Sequence, residues 1–416
     1  MNKTILPSEI RGEVRAPSSK SIMQRSIAAG LLAEGNTLIT NPSFCDDALA
    51  ALRIAGQLGA EVRVGDRDIA IRGGFNPREE LLDCGESGLG IRMFAAIASL
   101  HHSDLVLTGS GSLVNRPLSM IEKPLRELGV QCETNHGFIP VRIRGPLKGG
   151  MAPVDGSTSS QFLTGLLMAL PLSGKDSLLT VNDLQSRPYI DLTIKVLRDF
   201  NVIVENHDYK QFHVRGNQKY NPREYEVEGD WSGAAFLLVA GAIGGKIRVT
   251  GIRPDSTQAD RHILDVLRLA GAGIVIDGQS VEVTNRKLDP FRFDATESPD
   301  LFPPLVALAA HCEGISVISG TNRLLSKESN RAEVLLKEFS GLGIRIKIEN
   351  NDMIIQGGSV KSGTISSSND HRIAMAAAIT GIRAAGKIEI EGYECISKSY
   401  PDFFNDFLKI GGIANE

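Results

Sequence analysis

One structural pattern recurs about every seventy residues along this chain, and it limits the possible folds more than any other feature of the sequence. Each copy begins with a small or polar residue and a segment rich in Ala, Leu and Ile, which is typical of a buried helix. A short strand follows each helix. The helices are predicted at residues 18–33, 86–100, 157–170, 230–243, 298–311 and 369–385. The strands begin at Thr37, Leu105, Ser177, Lys246, Ile315 and Lys387.

The second half of each copy contains another helix and two strands. In the first five copies an amphipathic helix follows, and it usually ends at a glycine, as at Gly59, Gly271 and Gly343. Two alternating strands then close the copy, with a hairpin turn at Asp277-Gly278 in the fourth. The pattern predicts a βαβαββ unit repeated six times. Because 416 residues exceed one ordinary core, we expect two similar α+β lobes of three units each.

The charge and cysteine content argue against several classes of protein. The net charge is −4 and there is no run of Lys or Arg, so we expect no nucleic-acid partner. The five cysteines are scattered without a C-x-x-C pair, which argues against a disulfide framework or a zinc site and suits a reducing compartment. No apolar run approaches about 18 residues, and residues 1–15 lack a signal-peptide pattern. We expect a cytoplasmic protein with no membrane partner.

Basic residues stand at several predicted helix starts. Lys20 and Arg25 lie in the first turns of the first helix, Arg92 lies early in the second copy, and His371 and Arg372 open the helix of the sixth. A cation there is mildly unfavourable, because the N-terminal end of a helix is already positive. Free backbone N–H groups and cations together favour an anion site. The helix start of the third copy carries uncharged donors: Ser159, Ser160 and Gln161.

Two carboxylates occur near these cations. Asp300 follows Pro299 at the start of the fifth-copy helix, and Glu328 lies beside Lys327 and three residues before Arg331. Taken singly, Asp300 is read as a helix N-cap and the Lys-Glu-x-x-Arg run as a surface ion-pair ladder. The chain lacks the nucleotide phosphate loop, a complete dinucleotide motif, H-E-x-x-H and G-x-S-x-G, so we expect neither a cofactor nor a metal.

Seven segments together carry a resemblance to a known family that extends over nearly the whole chain. They are PSSKSIMQRS from Pro17, VDGSTSSQFLTGLLMAL from Val154, SRPYIDLT from Ser186, EVEGDWSGAAF from Glu226, SKESNR from Ser326, NDHRIAMA from Asn369 and CISKSYPDFF from Cys395. The chain resembles the 5-enolpyruvylshikimate-3-phosphate synthases. The resemblance implies two lobes of three βαβαββ units with the active site in the cleft between them. It implies a first lobe at residues 18–228 and a second lobe at residues 1–17 plus 229–416.

The resemblance also implies a reaction in the shikimate pathway to chorismate and the aromatic amino acids. The enolpyruvyl (carboxyvinyl) group of phosphoenolpyruvate moves to the 5-hydroxyl of shikimate 3-phosphate, and phosphate leaves. No cofactor is implied, and we expect a monomer. The implied shikimate 3-phosphate contacts are Lys20, Ser21, Arg25, Ser159, Ser160, Gln161, Ser186, Asp300 and Lys327. The implied phosphoenolpyruvate contacts are Lys20, Gly88, Arg116, Gln161, Arg331, His371, Arg372 and Lys398.

The resemblance implies three catalytic residues, Asp300, Glu328 and Lys20. Asp300 accepts the hydroxyl proton, Glu328 protonates the methylene carbon, and Lys20 offsets the charge of the leaving phosphate. The chain departs from the family pattern at Glu86, Leu89 and Met93, where Asn, Thr and Pro are usual. A bulkier helix start could shorten the phosphoenolpyruvate pocket and weaken glyphosate inhibition, unless Leu89 packs under its helix.

Two other functions use the same scaffold. A UDP-N-acetylglucosamine enolpyruvyl transferase usually carries a Cys in a loop that this chain fills with GSGSLVNRP from Gly109. A non-catalytic anion-binding protein would be expected to lose Asp300 or Glu328, and this chain retains both.

Overall fold

The computed structural model describes residues 1–325 and 327–416. Ser326, the first residue of the SKESNR motif, lies outside the described residues. The described α-helices are α1 (Lys20–Leu32), α2 (Asp46–Gln57), α3 (Gly88–Ala98), α4 (Glu122–Glu127), α5 (Gln161–Ala169), α6 (Arg187–Asp199), α7 (Trp231–Gly244), α8 (Ile263–Leu269), α9 (Phe302–Ala310), α10 (Arg331–Gly341), α11 (His371–Thr380) and α12 (Phe403–Lys409).

The described strands alternate with these helices. Those up to residue 226 are β1 (Asn2–Leu6), β2 (Ile10–Arg15), β3 (Asn36–Thr40), β4 (Glu61–Val64), β5 (Asp68–Arg72), β6 (Leu81–Asp83), β7 (Asp104–Thr108), β8 (Gln131–Asn135), β9 (Phe138–Arg144), β10 (Met151–Asp155), β11 (Ser177–Asn182), β12 (Val204–His207), β13 (Gln211–Val214) and β14 (Glu224–Glu226). Those that follow are β15 (Gly245–Thr250), β16 (Gly273–Asp277), β17 (Ser280–Thr284), β18 (Arg292–Asp294), β19 (Ile315–Ser319), β20 (Arg345–Glu349), β21 (Asp352–Gln356), β22 (Gly363–Ser366), β23 (Ile388–Glu391) and β24 (Ile413–Asn415).

The strands of the described residues form six four-stranded sheets with one common topology. In the second unit the order is β6-β7-β9-β8, where β6 runs parallel to β7 and the remaining pairs are antiparallel. Helix α3 connects the parallel pair, and α4 precedes the β8–β9 hairpin. The other five sheets have the same order and the same strand directions, which confirms the predicted repeat of the βαβαββ unit.

Three of the sheets contain a strand from a distant part of the chain. Strand β14 pairs with β3 and completes the first sheet, although almost two hundred residues separate them. Strand β2 pairs with β15 in the fourth sheet, and β1 pairs with β23 and β24 in the sixth. Contacts between Cα atoms accordingly divide the chain into two compact units. We call Lys20–Val227 the first lobe, and Met1–Ser19 with Glu228–Glu416 the second lobe.

One expectation about the repeats is wrong. The sequence indicated a second helix in the first five units only, but the sixth unit has α12, with Phe403 and Phe407 buried. This helix has seven residues, about two turns. So short a segment repeats its apolar positions too few times to show a clear helical period.

Each lobe has its own hydrophobic core, built around the first helices of its three units. These helices are α1, α3 and α5 in the first lobe and α7, α9 and α11 in the second. All fourteen residues of α7 are buried, which explains why its sequence is apolar on every side. Small residues let the helices approach, since a Cβ on Gly165 of α5 would lie 2.7 Å from the Met93 carbonyl oxygen of α3. No helix within the described ranges is long and apolar enough to span a membrane.

Candidate active site

In the first lobe, α1 carries two of the predicted cations. Lys20 is its first residue, and its Nζ lies 3.0 Å from a carboxylate oxygen of Asp47 near the start of α2. Both side chains are largely buried. The sequence did not indicate Asp47, because an acidic pair in a first helical turn is common for stability alone.

Arg25 is buried one turn further along α1. Its guanidinium donates to Thr193 Oγ1 at 2.9 Å and to the Ser21 carbonyl at 2.8 Å, with longer contacts to Thr164 and Tyr189. Burial lowers the pKa of Arg25 to about 10. All four of these acceptors are neutral oxygens, so nearby protein charge does little to compensate the buried guanidinium. An entering anion would supply that compensation.

The start of α3 brings Gly88, Arg92 and Arg116 together. A Cβ on Gly88 would lie 2.3 Å from an Arg116 guanidinium nitrogen, so the guanidinium packs directly on the glycine backbone. Buried Arg92 donates to Gln161 Oε1 at 2.7 Å and to the Pro117 carbonyl at 3.0 Å. Gln161 is the first residue of α5, so Arg92 fixes its amide group. The starts of α3 and α5 therefore form one polar cluster.

The predicted serines of the first lobe stand at two helix starts. The Gln161 backbone N–H donates to Ser159 Oγ at 3.2 Å. Ser160, which directly precedes α5, is buried. Ser186 precedes α6 and has a φ of +57°, a left-handed conformation that serine rarely adopts. Such strain is found disproportionately at functional sites.

In the second lobe a single guanidinium gathers three carboxylates. Arg331, the first residue of α10, is fully buried. It lies 2.9 Å from Asp370, 2.9 Å from Asp300 and 2.6 Å from Glu328. Burial alone would lower the pKa of Arg331, but the charges of Asp370, Glu328 and Asp300 raise it above its ordinary value. Both predicted proton-transfer residues are thus held by the same side chain.

Asp300 is also in contact with two further cations. Lys327 Nζ lies 3.2 Å from its Oδ1, and an Arg372 nitrogen lies 3.1 Å from its Oδ2. Burial lowers the pKa of Lys327, and the charge of Asp300 counters this effect. With Arg331, three cations surround one carboxylate. The carboxylate of Asp300 is therefore closely surrounded by cations, although the whole chain is acidic.

Asp370 is a residue of this cluster that the sequence did not indicate. It is fully buried and caps α11 by accepting the Arg372 backbone N–H at 3.0 Å. It also accepts from two Arg331 nitrogens, at 2.9 and 3.2 Å, and from Ser329 Oγ at 3.1 Å. The same carboxylate therefore orients a helix start and a guanidinium.

The last two predicted residues belong to the same end of α11. His371 is its first residue and is fully buried. Lys398 is 6% exposed and donates to the Asn369 carbonyl at 2.8 Å. In each lobe some predicted residues that are distant in sequence contact one another near the start of a helix, as Gly88 does with Arg116 and Asp300 with Lys327 and Arg372.

A family model and several known proteins match this chain over most of its length. The family model described as EPSP synthase (3-phosphoshikimate 1-carboxyvinyltransferase) matches residues 6–407. The chain belongs to the EPSP synthase family. A 3-phosphoshikimate 1-carboxyvinyltransferase of Clostridium novyi (strain NT) is 36% identical, with 100% of this chain and 98% of the relative aligned. That of Aeropyrum pernix is 37% identical, with 97% of this chain and 94% of the relative aligned.

Solved structures show the same fold. An EPSP synthase from Acinetobacter baumannii superposes with a TM-score of 0.85 at 29% identity, and 100% of each chain is covered. The enolpyruvyl transferase NikO from Streptomyces tendae has a TM-score of 0.81 at 17% identity, covering 100% of this chain and 98% of NikO. The EPSP synthase relatives extend over the full chain, so this protein is an enzyme of the enolpyruvyl transferase type.

The departures from the usual EPSP synthase pattern have structural explanations. Leu89 and Met93 are buried in the core of the first lobe, as expected if Leu89 packs under its helix. Glu86 Oε2 accepts the Ser112 backbone N–H at 2.7 Å, and a Cβ on Gly111 would clash with the Glu86 carboxylate. Glu86 therefore holds the loop that leads to Arg116.

Proposed function

We propose that this chain transfers the enolpyruvyl group of phosphoenolpyruvate to the 5-hydroxyl of shikimate 3-phosphate and releases phosphate. The observation that carries the proposal is the pair of carboxylates bound to Arg331, Asp300 at 2.9 Å and Glu328 at 2.6 Å. They contact different sets of cations. Two carboxyl groups in different environments can divide the acid and base roles of one reaction.

The first lobe supplies donors for anionic and hydroxyl groups. We assign Ser159, Ser160, Gln161, Ser186, Ser21 and Arg25 to shikimate 3-phosphate. Gly88 and Arg116 are assigned to phosphoenolpyruvate, with Gln161 and Lys20 shared by both ligands. Arg25 supports this assignment, because it is a buried cation with neutral acceptors. The guanidinium of Arg116 offers paired donors to a carboxylate or phosphate group.

The second lobe supplies the proton-transfer groups and further cations. Arg331, His371, Arg372 and Lys398 are assigned to phosphoenolpyruvate, and Asp300 and Lys327 to shikimate 3-phosphate. These cations offset the repulsion between two anionic substrates, which grows as water leaves the site. Lys20 and Lys398 then stabilise the charge of the departing phosphate.

The addition step requires two proton movements. The 5-hydroxyl oxygen of shikimate 3-phosphate attacks the second carbon of phosphoenolpyruvate, and Asp300 takes the proton of this hydroxyl. At the same time Glu328 gives a proton to the methylene carbon. A tetrahedral adduct results. Its C–O bond to phosphate then breaks as the methyl carbon returns a proton to Glu328, which regenerates the double bond, and Asp300 gives the hydroxyl proton to the departing phosphate. The ion pair with Arg331 favours ionised Glu328, so we infer that Glu328 takes up its proton when anionic substrates compete for Arg331.

We further propose that the enzyme is a cytoplasmic monomer that binds no nucleic acid. All five cysteines are buried free thiols, as expected in a reducing compartment. Burial raises the pKa of Cys45 to about 11, so this thiol is not prone to react. Light scattering of the purified protein tests the oligomeric state.

A phosphate-release assay tests the proposed reaction. The purified chain is incubated with phosphoenolpyruvate and one acceptor, either shikimate 3-phosphate or UDP-N-acetylglucosamine. We expect release only with shikimate 3-phosphate, and a product heavier than the acceptor by the carboxyvinyl group. Release with the nucleotide sugar alone would assign the other enolpyruvyl transferase activity. No release with either acceptor, from protein that binds both substrates, would indicate a non-catalytic anion-binding protein.

A further inference from the structure

A buried glutamine of α1 contacts the start of α3. Gln24 lies between Lys20 and Arg25 in α1 and is fully buried. Its Oε1 accepts a hydrogen bond from Ser87 Oγ at 3.0 Å. Ser87 is also buried and directly precedes α3. This bond therefore joins the first helices of two repeat units, although neither side chain is assigned to a substrate.

The hydroxyl group of Ser87 forms two hydrogen bonds, and Gln24 fixes its orientation. Ser87 Oγ caps α3 by accepting the Gly90 backbone N–H at 3.0 Å. A serine hydroxyl carries a single hydrogen. Because Ser87 donates that hydrogen to Gln24, the lone pairs of its Oγ are left for Gly90. A Cβ on Gly90 would lie 3.7 Å from Gln24 Oε1, so the amide group lies beside the first turn of α3.

The nitrogen of the same amide group is buried without an acceptor. Within residues 1–325 and 327–416, Gln24 Nε2 has no hydrogen-bond partner. A buried donor without an acceptor lowers the free energy of unfolding. Methionine is an unbranched side chain of similar length without this donor, and it would avoid the loss. Packing alone therefore does not explain a glutamine at this position.

The residue after Ser87 is Gly88, which is assigned to phosphoenolpyruvate. Gly88 packs so closely on Arg116 that a Cβ there would lie 2.3 Å from a guanidinium nitrogen. The Gly88 carbonyl also accepts from Arg92 at 3.3 Å, and Arg92 holds Gln161. A movement of Ser87 would thus be passed to Gly88 and to the guanidinium groups that contact it. Aligned contacts to a ligand are weakened strongly by a displacement of about 1 Å.

We propose that Gln24 is a positioning residue for phosphoenolpyruvate binding that acts through Ser87. Its amide oxygen holds the Ser87 hydroxyl in the orientation that caps α3, and this keeps Gly88 in place against Arg116. Gln24 itself touches no substrate in this proposal. The proposal rests on the proposed function, because it takes Gly88 and Arg116 to be phosphoenolpyruvate contacts.

Steady-state kinetics of Gln24→Met, with saturating shikimate 3-phosphate, test this role. We expect KM for phosphoenolpyruvate to rise about three- to tenfold, the size expected for loss of one neutral hydrogen bond. Both kcat and the dissociation constant of shikimate 3-phosphate should change less than about twofold, because only phosphoenolpyruvate binding is weakened. The thermal midpoint should change little, since removal of the unpaired Nε2 donor offsets loss of the bond to Ser87.

Ser99→Ala is the matched control, because it removes a buried hydroxyl from the opposite end of α3. Ser99 directly follows this helix, and its Oγ donates to the Ala96 carbonyl at 2.6 Å. This variant should lower the thermal midpoint and leave KM for phosphoenolpyruvate unchanged. If Gln24 served stability alone, Gln24→Met would give this same result, and that outcome would overturn the proposal.

Ser87→Ala is a second variant for the case that Gln24→Met does not fold. It removes the hydroxyl through which Gln24 acts, so KM for phosphoenolpyruvate should rise at least as much, and an unchanged KM would overturn the proposal. In the double variant, Gln24→Met should have almost no further effect. An equal increase in both backgrounds, or a parallel loss of shikimate 3-phosphate affinity, would show that Gln24 does not act through Ser87. An inactive wild type would refute the proposed function instead, before any variant is compared.

Discussion

The contact between Gly88 and Arg116 gives a quantitative prediction for one methyl group. Replacing Gly88 by Ala adds a Cβ that would lie 2.3 Å from one guanidinium nitrogen, 2.4 Å from Cζ and 2.6 Å from the other nitrogen. The Gly88 backbone cannot easily retreat, since Ser87 beside it caps α3 by accepting the Gly90 N–H at 3.0 Å. The flexible side chain of Arg116 must move instead.

The size of this movement follows from the same distances. Ordinary van der Waals contact begins at 3.4 Å, so the guanidinium must retreat by about 1 Å or more. A hydrogen bond to a charged group contributes about 1.5–3 kcal/mol. Loss of one such bond to phosphoenolpyruvate corresponds to a rise in KM of about 10- to 100-fold. The free energy of unfolding should change little. Alanine favours a helix over glycine by about 1 kcal/mol, which offsets part of the cost of displacing the Arg116 side chain.

Steady-state kinetics with saturating shikimate 3-phosphate and varied phosphoenolpyruvate measure this effect. We expect Gly88→Ala to raise KM for phosphoenolpyruvate and to leave the dissociation constant of shikimate 3-phosphate unchanged. Gly56→Ala is the matched control, because it also adds a methyl group to a first-lobe helix but meets nothing within 4 Å. Its kinetics should be those of the wild type.

A double-mutant cycle decides whether the effect passes through Arg116. In an Arg116→Ala background the added methyl group no longer meets a guanidinium, so Gly88→Ala should have almost no further effect on KM. An equal increase in both backgrounds would show that the methyl group acts directly on the ligand. An unchanged KM in the single variant would show that Arg116 does not contact phosphoenolpyruvate from this position.

Three further predictions concern the second lobe. Asp300→Asn and Glu328→Gln should each lower kcat by ~100-fold or more while calorimetry shows that ligands still bind, and near-wild-type turnover would remove that residue from the mechanism. Asp370→Ala should lower the free energy of unfolding, measured in urea, by about 3 kcal/mol, because the buried guanidinium of Arg331 loses a partner. The control Glu313→Ala, at an exposed site, should change it by less than about 0.5 kcal/mol. Burial lowers the pKa of His311 from 6.5 to about 4, so the stability that neutral His311 provides is present above pH 6.5 and is lost as the pH falls toward 4. This loss of unfolding free energy is roughly 3 kcal/mol and should be absent in His311→Gln. If the unfolding free energies of wild type and variant changed with pH in parallel, the prediction would be wrong.

The sequence predicted the repeating elements well because each is defined locally. The first helices are apolar on almost every side, and the hairpins alternate clearly, so neither depends on distant residues. The closure of the first sheet by β14 was not predictable in this way. A three-residue strand carries little periodicity, and its partner β3 lies far away along the chain. The register of such pairs depends on tertiary packing.

The candidate site shows the same division between local and distant information. Cations at helix starts conflict with the helix dipole, so the sequence itself marks Lys20 and Arg372 as unusual. Asp370 shows no such conflict, since it caps a helix as an aspartate usually does. Its second role depends on Arg331, thirty-nine residues away. Asp47 was missed for the same reason, because its partner Lys20 is specified only by the fold.

The positive charges of the buried guanidinium groups Arg25 and Arg331 have different surroundings in the two lobes. This difference suits one lobe to binding and the other to proton transfer. Arg25 in the first lobe is surrounded by neutral oxygens, so an incoming phosphate adds charge compensation without displacing a carboxylate. Arg331 in the second lobe already contacts Asp300 and Glu328, so an anion that binds there must compete with both. That competition weakens simple binding, but it changes the charge that each carboxylate experiences and therefore its proton affinity. The first lobe is accordingly suited to hold an anion, and the second to couple the arrival of an anion to proton transfer.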